Sequence, residues 1–183
     1  GPGGYVAAIY ASQQGLKTAL VEKADLGGLC LNWGCIPTKA LLANAEVLRT
    51  VKDSSSYGIT IDKESIKADY AAAQKRSRDV SARLTKGVKG LMSKYNITVI
   101  SGEATLTSPT QVKISPSNET VNAEHVILAT GSHPFKLPSI DYSYPNIMTS
   151  REALEVTDIR PNDKIIIIGA GAIGMEFASF YST

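Results

Sequence analysis

Apolar positions along this chain switch repeatedly between two spacings. Tyr5 to Gln14 carries small residues, Ala7, Ala8 and Ala11, in a helical pattern, and Gly15 is placed to stop it. Lys17 to Glu22 then reads as a short strand, followed by a loop over 23–28. Leu41, Leu42, Ala45, Leu48 and Val51 recur at helical spacing, which predicts a helix from Pro37 that Ser54–Ser56 and Gly58 end. A longer helix is expected over 65–94, with Tyr70, Val80, Leu84, Val88, Leu91 and Tyr95 on its buried face. Strands are expected at 97–102 and 125–129, with a hairpin of 111–115 and 120–121 around Pro116–Asn118. Pro134, Pro138 and Pro145 mark an irregular crossover, and 150–156 reads as a short helix. A turn follows at Pro161–Asp163, and 164–168 is the most apolar strand pattern in the chain. A helix begins after the glycines that follow it.

Strands alternating with helices imply an α/β fold built on a Rossmann-like parallel sheet. The hairpin interrupts that alternation, so a small antiparallel layer is expected within the first unit. The pattern divides into a first domain over 1–149 and the start of a second over 150–183. The chain opens inside a glycine motif without a methionine and stops within an apolar helical pattern. Both ends therefore read as cut, and the first strand of the first domain is expected to precede residue 1. Any targeting segment would lie outside the sequence.

Charge narrows the picture by exclusion. Nineteen basic and seventeen acidic residues leave +2, which offers no case for nucleic acid or an anionic membrane. The basic residues between Lys75 and Lys94 are mixed with Asp79 and read as a solvated helix face. No apolar run approaches the roughly 20 residues of a membrane span. Two cysteines are too few for a disulfide-stapled secreted fold.

Those two cysteines carry the candidate chemistry. Cys30 and Cys35 sit in Gly27-Gly28-Leu29-Cys30-Leu31-Asn32-Trp33-Gly34-Cys35-Ile36-Pro37-Thr38-Lys39, at the mouth of a predicted helix and near a lysine. Such a pair can pass between dithiol and disulfide, and a helix N-terminus with a nearby cation favours its thiolate. A bare pair at this spacing reads first as a static disulfide or two buried free thiols, and the flanking Gly-Gly and Ile-Pro-Thr-Lys turn the reading to redox chemistry. Gly169, Gly171 and Gly174 follow Ile165–Ile168 as strand, turn and helix start. The first permits a tight turn, the second a close pyrophosphate, the third close helix–strand packing, and Ala172 and Ile173 lie between them at the helix start. Gly1 and Gly4 have the spacing of the last two glycines of the same fingerprint. Glu22 stands 21 positions after Gly1 at a strand end, where an acid can hold ribose hydroxyls. Two dinucleotide sites flanking a dithiol imply two redox cofactors and a relay between them.

The combined pattern resembles the pyridine nucleotide–disulfide oxidoreductases that carry a redox disulfide in the flavin domain. Cys-Leu-Asn-x-Gly-Cys-Ile-Pro-x-Lys is most similar to the dihydrolipoamide-oxidising branch, although Trp33 replaces its commonest valine. The resemblance implies FAD at the first site and NAD at the second. It places Glu22 on the adenosine ribose, and Lys23 and the loop through Gly28 to Cys30 along the flavin nucleotide. Lys39 would lie beside the flavin ring, Ala104 would meet the adenine through its backbone, and Thr130, Gly131 and Ser132 would approach the flavin from the other side. Glu176 matches the acid that contacts nicotinamide, so a Lys39–Glu176 ion pair is expected. The substrate would be dihydrolipoamide, carried on the lipoyl domain of an acyltransferase subunit in 2-oxo acid dehydrogenase complexes. It would attack Cys30, the more exposed sulfur, leaving Cys35 against the flavin. The full-length protein would be a homodimer of the bacterial cytoplasm or mitochondrial matrix. Its general-base histidine and interface domain would lie past Thr183, and neither His125 nor His133 matches that base. The 183-residue chain alone is therefore expected to bind FAD poorly and not to turn over. A related reductase of glutathione disulfide, mercuric ion or a quinone, and an inactive nucleotide-binding scaffold, remain open. NAD and NADP are not separable at this stage.

Overall fold

Glycines and prolines set the first boundaries. The computed structural model describes residues 1–160 and 162–183, so Pro161 of the expected turn lies outside the described residues. Helix α1 (Pro2–Gln13) starts three residues before the expected Tyr5, because Pro2 occupies its first turn, where no N–H is needed. Gly15, at φ +84°, ends it in the left-handed region that glycine enters without penalty. Strand β1 (Ala19–Glu22) follows. Then come helices α2 (Gly28–Trp33) and α3 (Cys35–Lys52). Helix α4 (Tyr70–Lys94) begins five residues later than predicted. The reason is Asp69, whose carboxylate accepts the Ala72 N–H and whose carbonyl accepts the Ala73 N–H. Strands β2 (Thr98–Ser101), β3 (Glu103–Ser108), β4 (Gln111–Ser115) and β5 (Thr120–Asn122) precede helices α5 (Ser150–Ala153) and α6 (Ala172–Tyr181).

Two compact units are built from these elements, residues 1–32 with 82–133 and residues 33–81 with 134–183. In the first, β1 and β2 pair in parallel, Ala19 opposite Thr98 and Glu22 opposite Ser101. Ala8, Val88, Met92 and Ile97 form the core beside them, with Leu20, Leu26 and Leu31 packed against it. Gly102 then turns the chain into the antiparallel sheet β3-β4-β5. Its φ is +150°, and a Cβ there would stand 2.6 Å from Ile114 Cγ2 and 2.7 Å from the Ser115 carbonyl oxygen. The hairpin was expected from the sequence. Strand β3 was not, although Thr105 and Thr107 are residues that favour strands.

The second unit is helical. Leu41, Ala153, Leu154 and Phe177 make its core, with Ala73, Phe180 and Tyr181 against them. Tyr181 stacks on Phe177 with ring centroids 5.8 Å apart, and burial pushes its phenol well above the usual tyrosine range. Threonine 149 and Glu152 form a reciprocal capping box at the start of α5. That helix spans one turn instead of the expected seven residues.

Three expectations are corrected. Leu84 and Leu91 are exposed on α4, whereas Gln74, Ser77, Ser81, Val88 and Met92 are buried. The buried stripe has helical spacing but is polar in its first half, so an apolar pattern search follows the wrong face. Small serines allow close approach to neighbouring backbone, as where Ser77 Oγ donates to the Pro37 carbonyl at 3.0 Å. Residues 125–129 and 164–168 form no strand. Each is apolar enough, but among the described residues neither has a ladder partner, and Leu128 and Ile166 remain 71% and 89% exposed. Strand β2 is parallel to β1 and largely exposed on its faces.

Candidate functional site

The cysteine run is shaped by backbone that only glycine can adopt. Gly27 and Gly28 have φ of +101° and +71°. A Cβ on Gly28 would lie 2.2 Å from the Gly1 Cα, so the turn before α2 closes directly on the start of α1. Helix α2 carries Cys30 and ends at Trp33. Gly34 caps α3, which Cys35 opens. Both cysteines are disulfide-bonded, and they are the chain's two cysteines. Cys35 sits in the first turn of an 18-residue helix with no side-chain cap and no acid in that turn. The unsatisfied N–H groups and the helix dipole therefore favour negative charge there. As whole residues, Cys35 is exposed and Cys30 is half-buried. Just after Cys35, Pro37 and Thr38 are buried, and α2 packs through Leu31 onto the apolar core.

Asn32 locks the run from inside. Its side-chain amide donates to the carbonyls of Leu26 and Gly28 at 3.1 and 3.0 Å, and its Oδ1 accepts from Thr85 Oγ1 at 2.8 Å. An asparagine so placed is buried yet satisfied, which makes it expensive to truncate. Thr38 Oγ1 returns to the Gly34 carbonyl at 2.7 Å and tightens the start of α3. Trp33 is held differently. The guanidinium carbons of Arg78 and Arg151 stand 4.1 and 4.4 Å from its ring centroid. Each such contact is worth about 0.5–1 kcal/mol at an exposed site. None of Asn32, Thr85, Arg78 or Arg151 was singled out from the sequence. Asparagine inside a cysteine run was the available signal, whereas the partners lie 45 to 118 positions along the chain.

The expected ion pair forms. Lys39 on α3 donates its ammonium proton to Glu176 Oε1 on α6. Both side chains reach solvent, so the pair contributes little to stability and is better read as an arrangement of charges. The second glycine turn leads into the same helix. Gly169 has φ +110°, and a Cβ on Gly171 would enter open space. A Cβ on Gly174 would stand 2.2 Å from the Gly169 carbonyl oxygen and 3.2 Å from Ile167 Cγ2. These are the three demands made of that fingerprint: a turn, an open approach and a close packing. Gly171 caps α6 without a side-chain bond, so the N–H groups of Ala172, Ile173 and Gly174 have no intrahelical acceptor. Phosphate oxygens fit such a helix start.

The first glycine turn is its counterpart in the other unit. Gly1 caps α1, again without a side-chain bond or an acid in the first turn. A Cβ on Gly4 would meet Leu20 Cδ1 at 3.4 Å and the Ala129 Cβ at 3.6 Å, so helix, strand and the 125–129 segment lie close. Glu22 ends β1, its Oε2 lies 3.8 Å from the Gly1 nitrogen and its Oε1 accepts the Ala24 N–H at 3.1 Å. Lys23 pairs with Glu103 at 2.9 Å, and that hydrogen bond raises the Lys23 pKa above its ordinary value. Ala104, next on β3, is exposed. Thr130, Gly131 and Ser132 are exposed as well, with Gly131 at φ +75°. Of the expected site residues, Gly1, Gly4, Glu22, Lys23, Gly28, Cys30, Ala104 and Thr130–Ser132 thus fall in the first unit. Cys35, Lys39, Gly169–Gly174 and Glu176 fall in the second. Among the described residues no helix is long and apolar enough to cross a membrane, and no group of three or more His, Cys, Asp or Glu side chains could hold a metal.

Known proteins with these features agree on a family. The profile described as pyridine nucleotide-disulphide oxidoreductase matches residues 1–183. The chain is 48% identical over 198 residues to a dihydrolipoyl dehydrogenase of Rhizobium etli, covering 99% of this chain and 40% of the relative. It is 45% identical over 185 residues to that of Chlorobaculum parvum and 39% identical over 184 residues to that of Bacillus subtilis, covering all of this chain and 39% and 40% of those relatives. Among solved structures, the HOCl-induced flavoprotein disulfide reductase RclA from Escherichia coli superposes with a TM-score of 0.77 at 25% identity. That match covers the whole chain and 38% of RclA. The chain therefore spans about 40% of the length of the curated relatives it matches. From the glycine turn at Gly1, through the Cys30–Cys35 disulfide, to the second glycine turn, this chain belongs to the pyridine nucleotide-disulphide oxidoreductase family.

Proposed function

We propose that the protein carrying this chain is a flavoprotein disulfide oxidoreductase that oxidises dihydrolipoamide to lipoamide and reduces NAD+. The Cys30–Cys35 disulfide, opened by the uncapped start of α3, is the observation that carries the reading. The similarity to dihydrolipoyl dehydrogenases supports the substrate. The domains are proposed as 1–149 for FAD and 150–183 for the start of the NAD-binding part. Residues of both glycine turns fit dinucleotides: two uncapped helix starts offer N–H groups to pyrophosphate, and Gly171 leaves open space above the backbone. Gly1, Gly4, Glu22, Lys23, Gly28, Ala104 and Thr130–Ser132 would hold FAD. Gly169, Gly171, Ala172, Ile173, Gly174 and Glu176 would hold NAD, with Lys39 paired to Glu176.

The chain's own chemistry is thiol–disulfide exchange. A substrate thiolate attacks Cys30 Sγ, a new S–S bond forms, and the Cys30–Cys35 bond breaks with its electron pair on Cys35. The second substrate thiol, deprotonated, attacks the mixed disulfide and releases Cys30 as the thiolate. Substrate leaves as the disulfide, two electrons poorer, and the dithiol is two electrons richer. The start of α3 stabilises the Cys35 thiolate. The assignment of the attacked sulfur to Cys30 rests on the family resemblance. When bound, FAD would supply an acceptor for the dithiol's electron pair and NAD+ an exit for it as hydride. A homodimer in the bacterial cytoplasm or mitochondrial matrix, served by a lipoyl domain, completes the proposal.

The test compares two assays of the full-length protein: NAD+ reduction by dihydrolipoamide, and NADPH oxidation by glutathione disulfide. Activity in the first, abolished by Cys35→Ser, is the expected result. Activity in the second alone would move the protein to another branch of the family. No activity in either, with Cys35→Ser indistinguishable from wild type, would favour a scaffold.

A further inference from the structure

One stripe of α3 leads from the redox disulfide to the helix behind the second glycine turn. Cys35, Lys39, Leu42, Glu46 and Arg49 recur in alternating steps of four and three, so they share one face. Two of them bond α6. Lys39 donates to Glu176. Arg49 Nη2 donates to the Ser179 carbonyl at 2.8 Å and to Ser179 Oγ at 2.9 Å. Glu176 and Ser179 are three residues apart, neighbours on one face of α6. The Ser179 carbonyl lies in the last turn of that helix, where carbonyls lack intrahelical N–H partners. It also accepts the hydroxyls of Ser182 and Thr183 at 3.1 and 2.9 Å. A guanidinium there complements the negative end of the helix dipole.

We propose that Arg49 is a positioning residue for the NAD+ half of the reaction. By holding Ser179 it sets the rotation of α6 about its own axis, and with it the place of Glu176. The inference rests on the proposed function and names a residue on which its hydride exit depends. Lys39 and Arg49 are ten residues apart, about 15 Å along α3, whereas Glu176 and Ser179 are separated by only about 4.5 Å along α6. Two long side chains therefore converge on one face of α6. A single contact leaves a helix free to pivot, and two contacts spaced along it do not. The Lys39–Glu176 pair is a weak point when alone, because both side chains reach solvent and salt screens the attraction. Arg49 holds a backbone carbonyl, so it grips the helix itself and not only a movable side chain. Leu41 and Phe177 keep the two helices together, but apolar contact is non-directional and leaves the rotation of α6 to the polar contacts.

The experiment measures NAD+ binding to the oxidised full-length protein by calorimetry, beside the two half-reactions in stopped flow. Arg49→Met removes both bonds and keeps an apolar stem. It is expected to weaken NAD+ binding about threefold to tenfold and to raise the KM for NAD+ by a similar factor. Flavin reduction by dihydrolipoamide should change less than about twofold, since Cys35 lies about 21 Å away along α3. Arg49→Lys should recover most of the affinity, because one nitrogen makes both bonds and an ammonium can replace it. Beside Glu176→Gln, Arg49→Met should weaken NAD+ less than about twofold further, because its effect passes through that acid. Equal losses in the two half-reactions would show that Arg49 only braces the fold, and would overturn the proposal. A full loss that persists beside Glu176→Gln would overturn it as well. A wild type that binds no NAD+ would overturn the proposed function and this inference together. A wild type that turns over normally, with NAD+ affinity unchanged in Arg49→Met, would overturn this inference alone.

Discussion

The two glycine turns have the same spacing and different surroundings. At Gly4 an added Cβ would meet the flexible end of Leu20, and β1 behind the turn is paired with β2. At Gly174 an added Cβ would meet a backbone carbonyl at 2.2 Å, and the apolar segment ahead of the turn has no ladder partner among the described residues. The weaker apolar pattern thus forms sheet and the stronger one does not. A glycine fingerprint specifies a local turn and helix start, which depend on a few neighbouring residues. A strand is a relation between two segments, and hydrophobicity alone does not supply the second.

The largest effects should come from the side chains beneath each turn's helix. Leu41 packs with Phe177 of α6, and Met92 packs with Ala8 of α1. Leu41→Ala and Met92→Ala should each cost about 2–5 kcal/mol in urea unfolding of the full-length protein. Leu41→Ala should also weaken NAD binding more than FAD retention, and Met92→Ala the reverse. Equal loss of both cofactors in both variants would break the contrast between the turns. Next, Gly174→Ala should destabilise by about 1–3 kcal/mol and raise the KM for NAD+, because the carbonyl in its way is backbone. Gly4→Ala should cost less, since Leu20 can change rotamer, and flavin absorbance after gel filtration would report it. A larger effect at Gly4 would reverse the comparison.

Asn32→Ala should cost about 1–3 kcal/mol by orphaning the Thr85 hydroxyl and two carbonyls, with a faster loss of flavin. The smallest effect is at α5. Thr149→Ala should cost about 1 kcal/mol. The Thr149 hydroxyl holds the Glu152 carboxyl below its usual range. A carboxyl depressed in the folded state stabilises the fold above its ordinary pKa, about 4.3, and that stabilisation fades as pH falls through the folded value. Unfolding of wild type and Glu152→Gln should therefore differ at pH 7, and the difference should shrink as pH falls below about 4.3.

Much of the candidate site was legible because its signals are local. Gly27-Gly28, Cys30, Cys35, Pro37 and the turn at Gly169 each need a particular backbone within a few residues. The Lys39–Glu176 pair crosses 137 positions, and it was anticipated only because both residues matched family motifs. The buried face of α4 was misread because its first half is Gln74, Ser77 and Ser81. Polar residues signal burial only when their partners are known. The grip of Arg78 and Arg151 on Trp33 had no signal at all, since arginine is ordinarily solvated.

By itself, then, the sequence determined the helix start after the second glycine turn, the disulfide-forming run and the family, because each is encoded by near neighbours or by a contiguous motif. Tertiary structure decided which apolar segments became strands, which face of α4 turned inward, and which cations gathered beside Cys35. Those outcomes depend on ladder partners, buried hydrogen-bond acceptors and aromatic faces supplied by residues far along the chain, and no local pattern records them.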